Sequence, residues 1–245
     1  MLSILIIELK ISLEFQMRVV EMTSEELSSP RTREMFCCLG EVSRGDGSVL
    51  LCQGDTAVAC AVYGPGEARQ RHGDLTERAG VEVVVRPRTG LQTVEDKARE
   101  SRIQAVCSSA ILTVLHPRTY FSIGLQELQD DGCQESVCLN AACLALLDAS
   151  VPLKFLLASV TVVMTEDRNI ICDPTNKQLA SSQTVARSTF VFSNRSPAPS
   201  IVSSYSEGRL SPEQLQSCLS AAHAASQLVF AFYKETLARK FSKEI

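Results

Sequence analysis

Short apolar runs alternate with clusters of glycine and aspartate in the first part of the chain. Val49–Cys52 and Ala57–Tyr63 are two such runs, and the turn-forming pair Gly54-Asp55 lies between them. This pattern predicts an antiparallel β-hairpin. A third run, Val81–Val85, is closed by Pro87 and predicts a further strand.

Longer segments with helical spacing separate the strand groups. We predict helices over 94–115, 136–149 and 212–241, and further strands over 120–128, 158–164, 170–172 and 184–192. The last helix begins with Ser211 as its N-cap and Pro212 at its first position. Residues 193–210 are rich in serine and proline, which predicts a mobile loop.

The order of strands and helices in the first half is repeated in the second. This alternation predicts an α/β (α+β) chain with one domain over residues 34–245 and a variable or disordered N-terminal extension over 1–33. Within the extension, 1–15 is apolar but is interrupted by Glu8, Lys10 and Glu14. It is too short to span a bilayer and lacks a basic start, so we expect no membrane association.

Composition narrows the function classes. The 245 residues carry a net charge of −4, with no Trp and four Tyr. This balance disfavours a protein that binds nucleic acid over its whole surface or by stacking bases. The ten cysteines form no C-x-x-C pair, and most of them lie in apolar runs. They are therefore expected to be reduced thiols in the core rather than zinc ligands or disulfides.

A set of motifs in fixed order carries a family resemblance. The motifs are Gly45-Asp-Gly-Ser48, Gln53-Gly-Asp-Thr56, Val62-Tyr-Gly-Pro65, Arg86-Pro87, Leu115-His-Pro-Arg118, Asp131-Gly132, Leu139-Asn-Ala-Ala142, Ala145-Leu-Leu-Asp-Ala149 and Asp173-Pro-Thr175. Together they resemble the RNase PH family, and within it the ring subunits of the eukaryotic RNA exosome, over about residues 36–243. The resemblance implies an RNase PH-like fold, with a βα pseudo-repeat, mixed sheets and long helices.

Active members of that family cleave RNA with inorganic phosphate. They hold the phosphate with an arginine just before a helix, where a guanidinium can bind it in bidentate fashion. In this chain the matching position is Glu135, and Gln134, Glu135 and Ser136 form a degenerate phosphate site. A carboxylate repels phosphate, so the resemblance predicts that phosphorolysis is lost, that the chain is not an enzyme and that it needs no cofactor.

The family also binds a divalent ion through two carboxylates six residues apart. Asp173 matches the first, whereas the second falls at Leu179 beside Gln178. Neither residue is an anionic ligand, so we predict no metal site, with Asp173 as the only retained candidate. Asp173 before Pro174 is also typical of a turn at the end of a strand.

A net positive segment lies between Arg86 and Arg118. Its candidate RNA-binding residues are Arg86, Arg88, Lys97 and Arg99, around a loop that faces the ring channel in this family. The alternative is a solvated helix face with internal ion pairs such as Glu95 with Arg99.

The resemblance implies a non-catalytic structural subunit that supports 3′-to-5′ RNA processing and decay, including that of rRNA. The implied partners are other RNase PH-like ring subunits (as a heterodimer in a six-membered ring), cap subunits, an associated nuclease and RNA in the channel. The implied locations are nucleus, nucleolus and cytoplasm, and the isolated chain is expected to form a homodimer. Two alternatives remain: a stand-alone homodimeric metal-dependent nuclease on DNA or RNA, using acidic residues among 130, 131, 135, 166, 167 and 173, and a protein-binding module without RNA contact.

Overall fold

The computed structural model describes residues 32–67, 77–180, 184–195 and 200–243. The strands in these ranges are β1 Met35–Leu39, β2 Gly47–Gln53, β3 Thr56–Glu67, β4 Gly80–Arg86, β5 Thr119–Gln129, β6 Leu157–Thr165, β7 Ile170–Cys172, β8 Thr184–Ser193 and β9 Ile201–Gly208. The α-helices are α1 Val94–Ala110, α2 Gln134–Asp148, α3 Asn176–Leu179 and α4 Pro212–Lys243, and Thr113–Leu115 forms a 3₁₀ turn. Most of the predicted extension, residues 1–31, lies outside the described residues.

The strands form two sheets. The first has the order β1-β2-β3-β5-β4, and β4 and β5 are its parallel pair. The second has the order β7-β6-β8-β9 and is antiparallel. The hairpin of β2 and β3 is confirmed, since Gln53 pairs with Thr56 across the two-residue turn. The predicted α/β fold with mixed sheets and long helices is likewise confirmed.

Helix α2 lies between the two sheets and forms the centre of the core. It packs against β2 and β3 on one side and β6 on the other, so its residues from Gln134 to Leu146 are buried. Asn140 joins it to the second sheet, because its side chain donates to the Ser159 carbonyl (3.0 Å) and accepts from the Ser159 N–H (2.8 Å). The hydroxyl of Tyr233 in α4 donates to the same amide oxygen (3.0 Å), which ties the last helix to the core.

The end of α2 requires a glycine in β2. A Cβ atom on Gly47 would lie 2.3 Å from the backbone nitrogen of Ala149 and 2.6 Å from the Ala145 carbonyl oxygen. Neither backbone atom can move aside without displacing the helix. The glycine before Ser48 in the sequence motif is therefore explained by the close packing of β2 on the helix.

Helix α1 ends five residues earlier than predicted, at Ala110 rather than Leu115. Ile111 is extended and forms a β-bridge with Leu153, and the Leu112 N–H donates to the Pro152 carbonyl (2.9 Å). These tertiary contacts compete with the hydrogen bonds that would continue the helix, and β-branched residues have a low helix propensity.

The prediction of a loop over 193–210 is wrong for residues 201–208. Strand β9 occupies Ile201–Gly208 and pairs antiparallel with β8, while 196–199 lie outside the described residues. The serines of this segment are typical of a loop, but it also contains Ile201, Val202 and Tyr205, residue types that favour extended backbone. Strand β1 was also missed, and both β1 and β9 lie at a sheet edge.

The cysteine prediction agrees with the structure. All ten cysteines are free thiols, and six of them are buried: Cys60, Cys107, Cys133, Cys138, Cys143 and Cys218. Burial raises the pKa of the Cys107 thiol to about 12, so this side chain packs as an uncharged apolar group. In the described part of the chain, no helix has both the length and the apolar character needed to cross a bilayer.

Candidate functional site

The three residues predicted to form a degenerate phosphate site lie together in the first turn of α2. Gln134, Glu135 and Ser136 are 7%, 8% and 1% exposed. Cys133 precedes them in the left-handed conformation (φ 57°), and its carbonyl accepts a hydrogen bond from the Ser136 hydroxyl (2.7 Å). The Ser136 hydroxyl therefore uses its proton in a hydrogen bond within the first turn of the helix.

Glu135 is held by an arginine from α1. The Nε atom of Arg102 donates to Glu135 Oε1 (2.9 Å), and its NH2 group donates to Oε2 (2.8 Å). This is the bidentate geometry in which a guanidinium binds a carboxylate or a phosphate. The hydrogen bond with Glu135 raises the pKa of Arg102. Arg102 in α1 therefore has a carboxylate of the same chain, that of Glu135 at the start of α2, as its anionic partner.

This ion pair lies in a cavity of about 330 Å³ between the helices and the second sheet. The cavity is lined by Glu95, Ala98, Arg99, Arg102, Glu135, Arg187, Thr189, Tyr205 and Glu207. The guanidinium carbon of Arg102 lies 4.0 Å from the ring centre of Tyr205, within cation–π range. The Tyr205 hydroxyl donates to Glu207 Oε1 (2.8 Å), which raises the pKa of the tyrosine. The three arginines of the lining face three glutamates, so the cavity has no formal excess of positive charge.

Arg99 is engaged within the protein one turn before Arg102. Its NH1 group lies 3.2 Å from Glu127 Oε1 and 3.5 Å from Asp96 Oδ1, and it also donates to the Gln134 side-chain oxygen. Burial raises the pKa of Glu127, and the charge of Arg99 opposes that shift. The structure thus pairs Arg99 with Asp96 instead of Glu95, the partner expected from helical spacing.

The other three candidate RNA-binding residues are more exposed. Arg86 ends β4 and Arg88 lies in the following loop, and both are exposed to solvent. Lys97 is 59% exposed at its side chain and pairs with Glu100 (2.6 Å). The role of the four residues in RNA binding stays a prediction.

Asp173 has an arginine as its partner. Arg33 donates to both carboxylate oxygens, from Nε to Oδ2 (2.9 Å) and from NH2 to Oδ1 (2.8 Å). The backbone N–H of Arg33 and the side-chain amide of Gln53 also donate to Oδ2 (3.1 and 2.9 Å). Asp173 is only 4% exposed, and its φ of 56° agrees with the predicted turn at the end of β7.

Arg33 also bonds to the loop before α2. Its NH1 group donates to the Asp131 carbonyl (3.2 Å), and NH2 donates to the Gly132 carbonyl (3.4 Å). Arg33, at the predicted boundary of the extension, therefore joins the N-terminal side of β1 to β7 and to the degenerate phosphate loop.

The family's divalent ion does not fit these residues. A cation on Asp173 would meet the guanidinium of Arg33, and at the second position Leu179 has no carboxylate to offer as a ligand. The neighbouring Gln178 accepts from the Thr175 backbone (2.8 Å) and hydroxyl (3.3 Å) in a capping box. Within the described ranges, no three His, Cys, Asp or Glu side chains come together as a metal-binding group.

Several residues of the site escaped sequence analysis. Arg102 lies in the net positive segment, but no motif distinguishes it there; its position three residues after Arg99 puts both on one helix face. Arg187, Tyr205 and Glu207 lie on β8 and β9, far along the chain from α2. No local pattern marks them, because the pairing of those strands brings them to the cavity.

Comparison with known proteins agrees with this fold. The profile of the 3′ exoribonuclease (RNase PH) family, domain 1, matches residues 31–152. The chain is 30% identical over 220 residues to the rice (Oryza sativa) exosome complex exonuclease RRP46 homolog, covering 85% of this chain and 92% of the relative. It is 31% identical over 213 residues to the Caenorhabditis elegans exosome complex component RRP46 homolog, covering 86% and 97%.

A solved structure gives the same result in three dimensions. The crystal structure of rice RRP46 superposes with a TM-score of 0.81 at 31% identity, covering 87% of this chain and 98% of the rice chain. The chain belongs to the RNase PH family. Its described parts extend beyond the segment matched by the domain 1 profile and include the second sheet and α4.

Proposed function

We propose that the protein is a non-catalytic structural subunit of the RNA exosome ring. It would support 3′-to-5′ processing and decay of RNA, including rRNA, by positioning partner subunits and lining an RNA path. The observation that carries the non-catalytic role is the bidentate contact of Arg102 with Glu135 at the start of α2. Ring membership is supported by relatives whose names place them in exosome complexes.

The contact between Arg102 and Glu135 opposes phosphorolysis in two ways. The carboxylate of Glu135 would repel a phosphate placed at the helix start, at a cost of about 1–4 kcal/mol for close like charges. The same carboxylate also occupies the hydrogen-bond donors of the Arg102 guanidinium, which would otherwise bind the phosphate. Arg33 also opposes phosphorolysis, because it binds Asp173 at the position where a metal ion would have to bind.

The direct test is incubation of the purified protein with single-stranded RNA and inorganic phosphate. We expect no release of nucleoside diphosphates above a phosphate-free blank, while a phosphorolytic member of the family releases them under the same conditions. Release that depends on both the protein and phosphate would contradict the non-catalytic proposal.

The proposed partners are other RNase PH-like ring subunits, one of which forms a heterodimer with this chain. Cap subunits and an associated nuclease complete the proposed assembly, with RNA threaded through its channel. The proposed locations are nucleus, nucleolus and cytoplasm. Affinity purification from fractionated cells, followed by mass spectrometry, tests partners and locations together, and recovery of the chain without other RNase PH-like subunits would contradict the proposal.

The RNA path gives a prediction for Arg86 and Arg88. Because both are exposed, replacing them with alanine should remove two phosphate contacts in the assembled complex. For single-stranded RNA, the slope of log K against log salt should fall by about 1.4 in magnitude. Fluorescence anisotropy of labelled RNA at several salt concentrations measures this slope. Lys154→Ala is the control, because Lys154 is exposed and lies outside the predicted RNA-binding segment, so it should leave the slope unchanged. An unchanged slope in the double variant would show that Arg86 and Arg88 do not contact the RNA.

Exposed edges and apolar side chains predict association of the isolated chain. In the described structure β1 and β4 are the edge strands of the first sheet, and Leu91 and Val94 are 92% and 87% exposed. Such edges and side chains favour pairing with another chain. We expect a homodimer, or aggregation unless a ring partner is co-expressed. Sedimentation velocity at micromolar concentration measures this, and a soluble 26.7 kDa monomer would contradict the prediction.

One alternative retains support from a single observation. The rice relative is named an exonuclease, which agrees with a stand-alone metal-dependent nuclease on DNA or RNA. Titration of the purified protein with Mg²⁺ and Mn²⁺ in the presence of single-stranded DNA and RNA separates the two functions. Cleavage that requires the metal would favour the nuclease, whereas intact substrate would favour the structural subunit.

A further inference from the structure

The two edges of the first sheet differ in their protection. At β4, Glu100 accepts a hydrogen bond from the Val85 N–H (3.1 Å), and Gln92 donates to the Val85 carbonyl. Gln104 of α1 donates to the Val81 carbonyl (2.9 Å). Strand β1 pairs only with β2 in the described part of this sheet, and it contains neither a charged residue nor a proline, the usual protections of an edge strand. Of the two edges, β1 is therefore the one that a further strand can join.

The ladder between β1 and β2 shows which backbone groups of β1 face outward. At one end of this uninterrupted ladder, the Gly40 N–H donates to the Ser48 carbonyl (2.9 Å). At the other end, the Gly54 N–H donates to the Glu34 carbonyl (2.9 Å). In an antiparallel ladder every second residue bonds the same neighbour, so the even-numbered residues of β1 bond β2. The residues whose N–H and C=O groups point away from β2 are Met35, Cys37 and Leu39.

A groove of about 500 Å³ lies along β1 and extends to α4. The residues of β1 line it together with Phe232 and Thr236 of α4, and the Cys37 thiol and the Thr236 hydroxyl are 3.4 Å apart. On β1 itself, the side chain of Phe36 is 60% exposed. A strand that joins this edge would cover the phenylalanine and part of the groove, and would also gain backbone hydrogen bonds.

The charges around the groove favour an uncharged strand as the occupant. The two basic residues of its lining are already paired within the chain, Arg239 with Glu235 (2.6 Å) and Lys240 with Asp148 (2.7 Å). An acidic segment would have to compete with these carboxylates. Strand β1 is itself uncharged and apolar, and two identical antiparallel strands are complementary to each other about a two-fold axis, the commonest symmetry of protein dimers.

We propose that β1 pairs antiparallel with β1 of a second copy, about a two-fold axis at Cys37, so that the two first sheets become one continuous sheet. Cys37 would lie opposite Cys37 of the second copy, and Met35 opposite Leu39 of the second copy. Because these residues face outward, each such pair can exchange two hydrogen bonds. Phe36 would lie opposite Cys38 of the second copy. The inference rests on the self-association predicted above, and not on a role in the exosome ring.

Proline at position 37 tests the pairing. Because the Cys37 N–H points away from β2, Cys37→Pro removes a hydrogen bond of the proposed interface and none of the ladder with β2. That bond and its symmetry mate are both lost, so the dissociation constant of the dimer should rise at least about tenfold. Sedimentation over a series of protein concentrations measures it, and circular dichroism checks the fold. Cys37→Ser is the matched control, because it changes the same side chain, keeps the N–H and should dimerise as the wild type does.

A disulfide tests the register without weakening the interface. In Phe36→Cys the new thiol would lie opposite Cys38 of the second copy in a non-hydrogen-bonded pair, whose Cα separation of about 4.5 Å suits a disulfide. Oxidised glutathione would join the two thiols and be reduced to two molecules of glutathione. On a non-reducing gel, covalent dimer should be at least about fivefold more abundant than for Val114→Cys, because pairing raises the local thiol concentration. Val114 is the matched control, since it is 61% exposed and lies outside the groove.

Three results would overturn the proposal. A Cys37→Pro dimer as tight as that of the wild type would place the interface elsewhere. As little covalent dimer from Phe36→Cys as from Val114→Cys would reject the register, and this yield decides if Cys37→Pro does not fold. In both cases the predicted self-association would stand while its assignment to β1 fails. A wild type that stays monomeric at every concentration would overturn both, because the edge of β1 would then not bind a second copy.

Discussion

Replacing Asp173 with alanine is expected to lower the free energy of unfolding by about 3–5 kcal/mol, the usual cost of removing one partner of a buried ion pair. The Asp173 side chain is 2% exposed and that of Arg33 is 14% exposed. The substitution would leave the guanidinium of Arg33 with only the more distant and more exposed carboxylate of Asp131 (3.7 Å), and the Gln53 amide would also lose its acceptor. Urea unfolding followed by circular dichroism measures the loss.

Two further variants make this prediction specific. Asp167→Ala removes an exposed carboxylate and should change the stability by less than about 0.5 kcal/mol, as expected at the surface. The double variant Arg33→Met with Asp173→Leu removes both charges of the buried pair and should be more stable than Asp173→Ala, because the guanidinium is gone and the carboxylate of Asp131, which loses its contact with Arg33, is 26% exposed. If Asp173→Ala cost less than about 1 kcal/mol, the pair would behave as a surface ion pair and would not anchor the N-terminal side of the fold.

The parts of the fold that sequence predicted are those in which local pattern and tertiary structure agree. The turn of Gly54 and Asp55 defined the hairpin, and the cap at Ser211 with Pro212 defined the start of α4. A run of apolar residues sufficed for β6, which is buried on both faces. In each of these elements the residues that set the local conformation also fix how the element packs.

Prediction failed at the edges of the sheets. Strand β9 is half exposed and rich in serine, so it lacks the apolar run that marked the central strands. Strand β1 is an apolar run of only five residues, and its sequence was not recognised as a strand. Their extended conformation comes from pairing with β2 and β8, which contribute hydrogen bonds from distant parts of the chain. The early end of α1 has the same origin, since Ile111 bridges to Leu153.

At the candidate site, too, the sequence predicted one part, and only the fold shows the rest. The place of Glu135 could be predicted because the motif around Gly132 is continuous in sequence. Its partner Arg102 lies 33 residues away, and Arg33 lies 140 residues from Asp173. Sequence alone therefore showed which charges had changed at the site, whereas only the fold shows that each carboxylate has an arginine of the same chain as its counterion.

Replacing Glu135 with alanine should turn the cavity at the start of α2 into an anion-binding site. The change frees the guanidinium of Arg102 and leaves three arginines opposite two glutamates in the lining. Removing a close like-charge contact is worth about 1–4 kcal/mol, so phosphate should bind at least about fivefold more tightly than to the wild type. Isothermal titration with inorganic phosphate at low ionic strength measures the gain.

Glu95→Ala is the matched control, because it removes one carboxylate from the same cavity and leaves the pair of Arg102 and Glu135 intact. We expect it to raise phosphate affinity much less than Glu135→Ala does. Equal gains would mean that only the total charge matters and that Glu135 does not act as the counterion of Arg102. The Glu135→Ala variant should still release no nucleoside diphosphates from RNA, since Arg33 continues to hold Asp173 and Leu179 supplies no second carboxylate. Phosphorolysis by this variant would show that Glu135 alone separates the chain from its active relatives.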